Sequence, residues 1–206
     1  MSATNRAVSW ISAVLAGTSL LACGNPAADV RIDALGPEVD GVPQNGYHRP
    51  GQPCILCHSS YGGAEPEMSV AGTVYATAMP YQDATGELID SPPVNGVQVI
   101  LYDSEGNSPP TTPVTNCIGN FWVTKDQWNP TFPIYAEIRY DDPDPNVTQV
   151  KRAVMGTWIQ REGSCNTCHA GDRNQGSVGR IYCVQEPPPD LENFFQPPSA
   201  SCEGVP

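Results

Sequence analysis

The pentapeptide Cys-x-x-Cys-His occurs twice in this 206-residue chain, as Cys54-Ile55-Leu56-Cys57-His58 and as Cys165-Asn166-Thr167-Cys168-His169. Any fold the chain adopts has to hold both copies on ordered turns. The chain has 8 cysteines and 3 histidines, so one chance match has odds of about one in 200 and two matches about one in 100,000. The repeat is therefore read as a functional element. Proline sets the second constraint. There are 22 prolines, about twice the usual ~5%, which excludes a helical bundle and favours short strands and long loops. A formal net charge of −12 lacks the basic face that an electrostatic nucleic-acid binder needs, so no nucleic-acid partner is expected.

The spacing of the pentapeptide fits one chemistry closely. Two thiols so placed bond covalently to neighbouring vinyl groups on one edge of a haem, and the adjacent imidazole reaches the iron from one face. Cys54, Cys57, Cys165 and Cys168 are then the attachment points of two covalent haem c groups, and His58 and His169 are the proximal iron ligands. Three other uses of the spacing stay open. A thioredoxin-like redox pair wants a βαβ context that is absent here. A zinc site from the four cysteines conflicts with an exported, oxidising setting, and plain disulfides would suit it. In these ten residues the chain resembles multihaem c-type cytochromes. The resemblance implies one-electron transfer with redox partner proteins of the cell envelope.

Histidine arithmetic limits the irons. With His58 and His169 committed, only His48 remains, in Gly46-Tyr47-His48-Arg49-Pro50 just ahead of the first signature. It is either a distal ligand, with the first haem as its target, or an exposed loop histidine. The other iron takes a methionine, a rarer ligand, or stays open. Met155 is the preferred thioether, since it heads the run into the second signature. Met68 is the alternative, and core filling is the ordinary role of both. Arg180 is a possible partner for a haem propionate.

The N-terminus supplies an address. Residues 1–22 form a short apolar export signal with Arg6 as its only charge, ending in Leu20-Leu21-Ala22-Cys23. This resembles the lipobox of bacterial lipoproteins, which implies acylation of Cys23 and a lipid-anchored protein at the outer membrane. Residues 23–46 show no apolar periodicity and read as a flexible tether.

Between the signatures the sequence changes character. Val70–Tyr75, Val97–Tyr102, Phe121–Val123 and Ile134–Tyr140 are β-favouring runs, with turns at Asp103–Asn107 and Asn116–Asn120. A mainly β fold follows, as an antiparallel sandwich. The order of these runs resembles the carboxypeptidase-regulatory or transthyretin-like β-sandwich, a module that displays or spaces other elements. Phe121 and Trp122 read as core and haem packing. The organisation expected is a first haem-binding segment at 47–68, the sandwich at 69–145, a second haem-binding segment at 146–182 and a proline-rich tail at 183–206. The acidic run Asp141–Asn146 lacks the glycine and terminal glutamate of a calcium loop and reads as solvated.

Cysteine bookkeeping leaves Cys117, Cys183 and Cys202. Cys183 with Cys202 would pin the tail, and Cys117 with either is the alternative. No nucleotide loop, nucleophile elbow or H-E-x-x-H is present. The chain therefore reads as an electron carrier more than a catalyst. A haem peroxidase or reductase, using an open iron, is the rival from the enzyme class. A surface interaction protein with structural haem is the other.

Overall fold

Each alternating run becomes a strand where the sequence marks it, and the turns between them close by their own side chains. The computed structural model describes residues 25–38, 44–82, 85–142, 148–171 and 176–185. The order is α1 (Pro26–Ala34), α2 (Cys54–Cys57), β1 (Met68–Thr77), β2 (Tyr81–Gln82), β3 (Leu88–Ile89), β4 (Gln98–Tyr102), β5 (Asn120–Thr124), β6 (Tyr135–Asp141), β7 (Val150–Val154), a 3-10 turn (Cys165–Thr167) and β8 (Ile181–Val184). The fold is mainly β, as expected. One three-stranded sheet runs β5-β1-β8, another β4-β6-β7, and β2-β3 is a small hairpin.

Both larger sheets contribute to one core. Val70, Val74 and Ala76 of β1 meet Val99 and Leu101 of β4, Phe121 and Val123 of β5, and Ile138 of β6. Burying such a side chain contributes about 1.5–3 kcal/mol each, so this cluster dominates any surface ion pair, worth about 0–1 kcal/mol. Turn chemistry fixes the register. Asn116 Oδ1 accepts from the amides of Ile118 and Asn120 at 3.1 and 3.0 Å. Gly119 takes a φ of 72°, and a Cβ there would collide with Val74 O.

β1 is the organising strand. All ten of its residues are buried, yet Ser69, Thr73 and Thr77 are polar and alternate with the core valines. A strand so patterned expects one solvated face. Here the second face is covered as well, and the two pentapeptides are part of the cover. Gly72 shows how closely: a Cβ there would lie 2.9 Å from both Cys165 Cβ and the Phe121 ring.

Three expectations are corrected. The tether at 23–46 contains helix α1. Asn25 caps it by accepting from the Ala28 amide at 3.3 Å, Pro26 stands in its first turn, and Gly36 follows its end with a φ of 75°. These are cap signals, which a search for apolar periodicity passes over. The second haem-binding segment at 146–182 contributes to both sheets. β7 pairs antiparallel with β6, and β8 pairs with β1 from Val74↔Ile181 to Thr77↔Val184. That last pairing is parallel, so the β5-β1-β8 sheet is mixed. The chain re-enters it after the second signature running in the direction of β1. Finally, Cys183 is a free thiol, so the expected Cys183–Cys202 bridge is absent. β8 turns Cys183 into the core, where it is 6% exposed. Cys117 is disulfide-bonded, and its partner lies outside the described residues.

Candidate functional site

Each pentapeptide closes one helical turn. The His58 amide donates to Cys54 O and the His169 amide to Cys165 O, both at 2.9 Å. The first copy is an α-helical turn and the second a 3-10 turn, but the closing bond is the same.

All three histidines carry their proton on the same nitrogen. A carbonyl oxygen only accepts, so a ring nitrogen bonded to one has to donate. His58 Nδ1 donates to Pro66 O at 3.0 Å and His169 Nδ1 to Gly179 O at 2.8 Å. His48 Nδ1 donates to Asn45 O. Each neutral ring therefore keeps its Nε2 lone pair. A backbone carbonyl on the other nitrogen is the arrangement that orients metal-ligating imidazoles and raises their basicity.

The His48 and His58 rings lie tilted to one another, with centroids 5.8 Å apart and planes 38° apart. Two imidazoles sharing one metal through Nε2, with bonds of about 2 Å, set their centroids roughly 6 Å apart. The separation suits a single shared ion. A cavity of about 650 Å³ adjoins the pair and is lined by His48, His58, Cys54 and Cys57 together with Met68, Phe121 and Trp122. That volume is in the range of small-molecule and cofactor sites. Arg49 closes one side: its guanidinium donates to Glu38 Oε1, Gln52 Oε1 and Gly36 O, each at 2.7 Å. The segment after α1 is thereby clamped over the first signature.

The four signature thiols are free. Burial pushes Cys54 up to about 11, and burial with Cys54 nearby pushes Cys165 up to about 12. Burial raises Cys57 too. An activated redox pair needs a lowered thiol pKa, which is the reverse of what burial does at Cys54, Cys57 and Cys165. Among the described residues no three His, Cys, Asp or Glu side chains converge as a metal cluster. The donor set at the first signature, two thiols and two imidazoles around one cavity, is of the chemistry that a covalently attached haem would take.

The second signature is placed differently. Cys165 lies against Gly72, Cys168 is exposed, and His169 is half-buried. Arg180, beside the Gly179 carbonyl that holds His169, donates to Asp90 Oδ1 at 2.6 Å and Oδ2 at 3.0 Å. Its guanidinium also lies 4.4 Å from the Tyr75 ring centre, so it is engaged already.

The methionines part company. Met68 is buried, lines the first cavity, and donates its amide to His58 O at 2.9 Å. Met155 follows β7 in the other sheet, donates its amide to Ala136 O at 3.0 Å, and does not line that cavity. Cys23 and Cys202 lie outside the described residues. Sequence reasoning missed Thr73, Asn120 and Asn166, which join the two signatures through buried hydrogen bonds. The one signal for Thr73 was a polar residue inside the otherwise apolar run Val70–Tyr75.

No family model, no curated protein and no solved structure matches this chain. No helix among the described residues is long and apolar enough to cross a membrane.

Proposed function

We propose that the protein is an exported, lipid-anchored dihaem c-type cytochrome that passes single electrons between partner proteins of the cell envelope. The observation that carries the reading is the common state of the three imidazoles, each with Nδ1 on a carbonyl, two of them ending a Cys-x-x-Cys-His turn and the third facing the first. Bound haem supplies reversible one-electron iron chemistry.

The chain's own residues bind, orient and shield. Cys54 with Cys57, and Cys165 with Cys168, tether the two groups through thioethers. His58 and His169 offer Nε2 as proximal ligands, and the Pro66 and Gly179 carbonyls set their orientation. His48 offers a second nitrogen at the first site. Met155 is the methionine left to complete the other iron, since Met68 lines the first cavity. Phe121 and Trp122 wall the first cavity against water, Trp122 with 37% of its surface exposed. With all three histidines so used, no imidazole is spare for acid–base work, and the reading is of a carrier.

The anchor is an acylated Cys23. Cys23→Ser should release the protein to the soluble envelope fraction with its haems intact, and retention at the membrane would refute the anchor. The mass of the mature protein, purified from cells competent in haem attachment, tests the central reading. Two haems add about 1.2 kDa, and an apoprotein mass would overturn it.

A further inference from the structure

We infer that Asn166, a spacer residue inside the second signature, is a positioning residue for the first site, acting through Thr73 and Asn120 on the loop that carries His48. The inference rests on the reading of both signatures as haem sites.

Of the four spacers, Ile55 and Leu56 are half-buried, Thr167 is exposed, and Asn166 is 2% exposed. A residue needed only for spacing has no reason to be buried and fully bonded. Asn166 Oδ1 accepts from the Thr73 amide at 3.2 Å, while Nδ2 donates to Thr73 Oγ1 at 3.0 Å and to Gln52 O at 2.9 Å. Thr73 Oγ1 also accepts from the Gly51 amide at 2.8 Å and donates to Asn120 Oδ1 at 2.7 Å. A hydroxyl has one proton and two lone pairs, so that of Thr73 is saturated. Asn120 Nδ2 then donates to His48 O at 3.0 Å.

The loop before the first signature is thus fastened at His48 O, Gly51 N and Gln52 O. In the free-thiol chain Gln52 O also accepts from Cys54 Sγ at 3.4 Å, a bond that a thioether at Cys54 would give up while leaving the one from Asn166 in place. A buried polar network with every partner satisfied specifies one arrangement. Removing a member leaves the others to rearrange or go unpaired. The loop freed in that case is the one that aims His48.

The test uses the full chain matured with haem, in three variants: Asn166→Ala, Thr73→Val and the hydroxyl-restoring Thr73→Ser. Haem count is read by mass, spin state by ferric spectra, access to the first iron by the rate of cyanide binding, and stability by thermal unfolding. Asn166→Ala and Thr73→Val should keep two haems, gain a high-spin fraction of the kind expected of His48→Ala, and bind cyanide about 10- to 100-fold faster, scaled from the 10- to 100-fold that losing an outer-shell partner costs in metal affinity or activity. Thr73→Ser should behave as the parent. If Asn166→Ala fails to mature, Thr73→Val reads the same network from outside the pentapeptide. Two haems with parental spectra and cyanide rates, even at a lowered melting temperature, would overturn the positioning role and leave the haem reading standing. A parent protein without haem would overturn both.

Discussion

His48 and His58 face each other with ring centroids 5.8 Å apart, although one sits in a loop and the other ends a helical turn. Two restraints bring them together. Asn120 holds the His48 carbonyl, and Arg49, next in the chain, takes a φ of 49° while its side chain is tied to Glu38, Gln52 and Gly36. A non-glycine residue in that left-handed region stays there when its surroundings fix it. The conformation turns the chain so that His48 looks back across the cavity at the signature it precedes.

His48→Ala should therefore leave one haem of the two without its second imidazole. Ferric absorption and electron paramagnetic resonance should show about half of the iron converted to the high-spin form. The remaining haem should be unchanged, since the ring that His48 faces is that of His58. A variant whose two irons both stay low-spin would exclude His48 as a ligand.

Gly119→Ala tests the turn that presents β5 to the cavity. At a φ of 72° an alanine is strained, and its Cβ would meet Val74 O and lie 3.0 Å from Pro93 Cβ. Strain plus a backbone clash costs on the order of 2–4 kcal/mol. Urea unfolding should show the midpoint fall with little change in slope, and an unaltered midpoint would refute the account of this turn.

The two remaining described cysteines should behave oppositely. Cys183 is a buried free thiol, its pKa pushed upward by burial, so it should label with a thiol reagent only after unfolding. Cys183→Ala should cost about 1 kcal/mol, the loss of one small buried group. Cys117 is in a disulfide, and Cys117→Ser should cost about 2–4 kcal/mol. Rapid labelling of Cys183 in the folded protein would contradict its placement.

Much of this arrangement was legible in the sequence. The β-favouring runs at Val70–Tyr75, Val97–Tyr102 and Ile134–Tyr140, the last two alternating at the strand period, each fall on a strand. The pentapeptides marked both turns, and His48 stood close enough to the first to be drawn in. What escaped has a physical reason in each case. Helix α1 carries its signal in Asn25 and Pro26, since its faces differ little in polarity. For β8 it was the partner that escaped, the distant β1 in parallel, a pairing with no local signature. Cys183 was assigned to a disulfide by counting, but the strand it belongs to points it into the core. Asn166 and Thr73 are polar residues whose role exists only once two distant segments are brought together.

Acid should weaken the fold in part through β6, and Glu137 is the group to follow. It lies on β6, 4% exposed. It accepts from Arg139 Nε at 2.5 Å and from Tyr135 Oη at 2.7 Å. The Arg139 hydrogen bond, with help from Tyr135, outweighs burial and holds its carboxyl below the ordinary 4.5. A carboxyl whose folded pKa is depressed adds stability that is complete above its unfolded pKa and is lost as pH falls through the folded one. The contribution of Glu137 should therefore be constant near neutrality and drain away below pH 4.5. Glu137→Gln removes the titration but keeps the shape. At neutral pH the variant should melt below the parent, and the gap should close as the pH is lowered, because the parent then carries a neutral carboxyl in the same place. Other carboxylates titrate in both proteins and cancel in the difference. Thermal unfolding of the pair across pH 3 to 7, an interval set by ordinary carboxylate titration, reads this directly. A gap that stays constant over the whole interval would show that Glu137 does not owe its place to its charge.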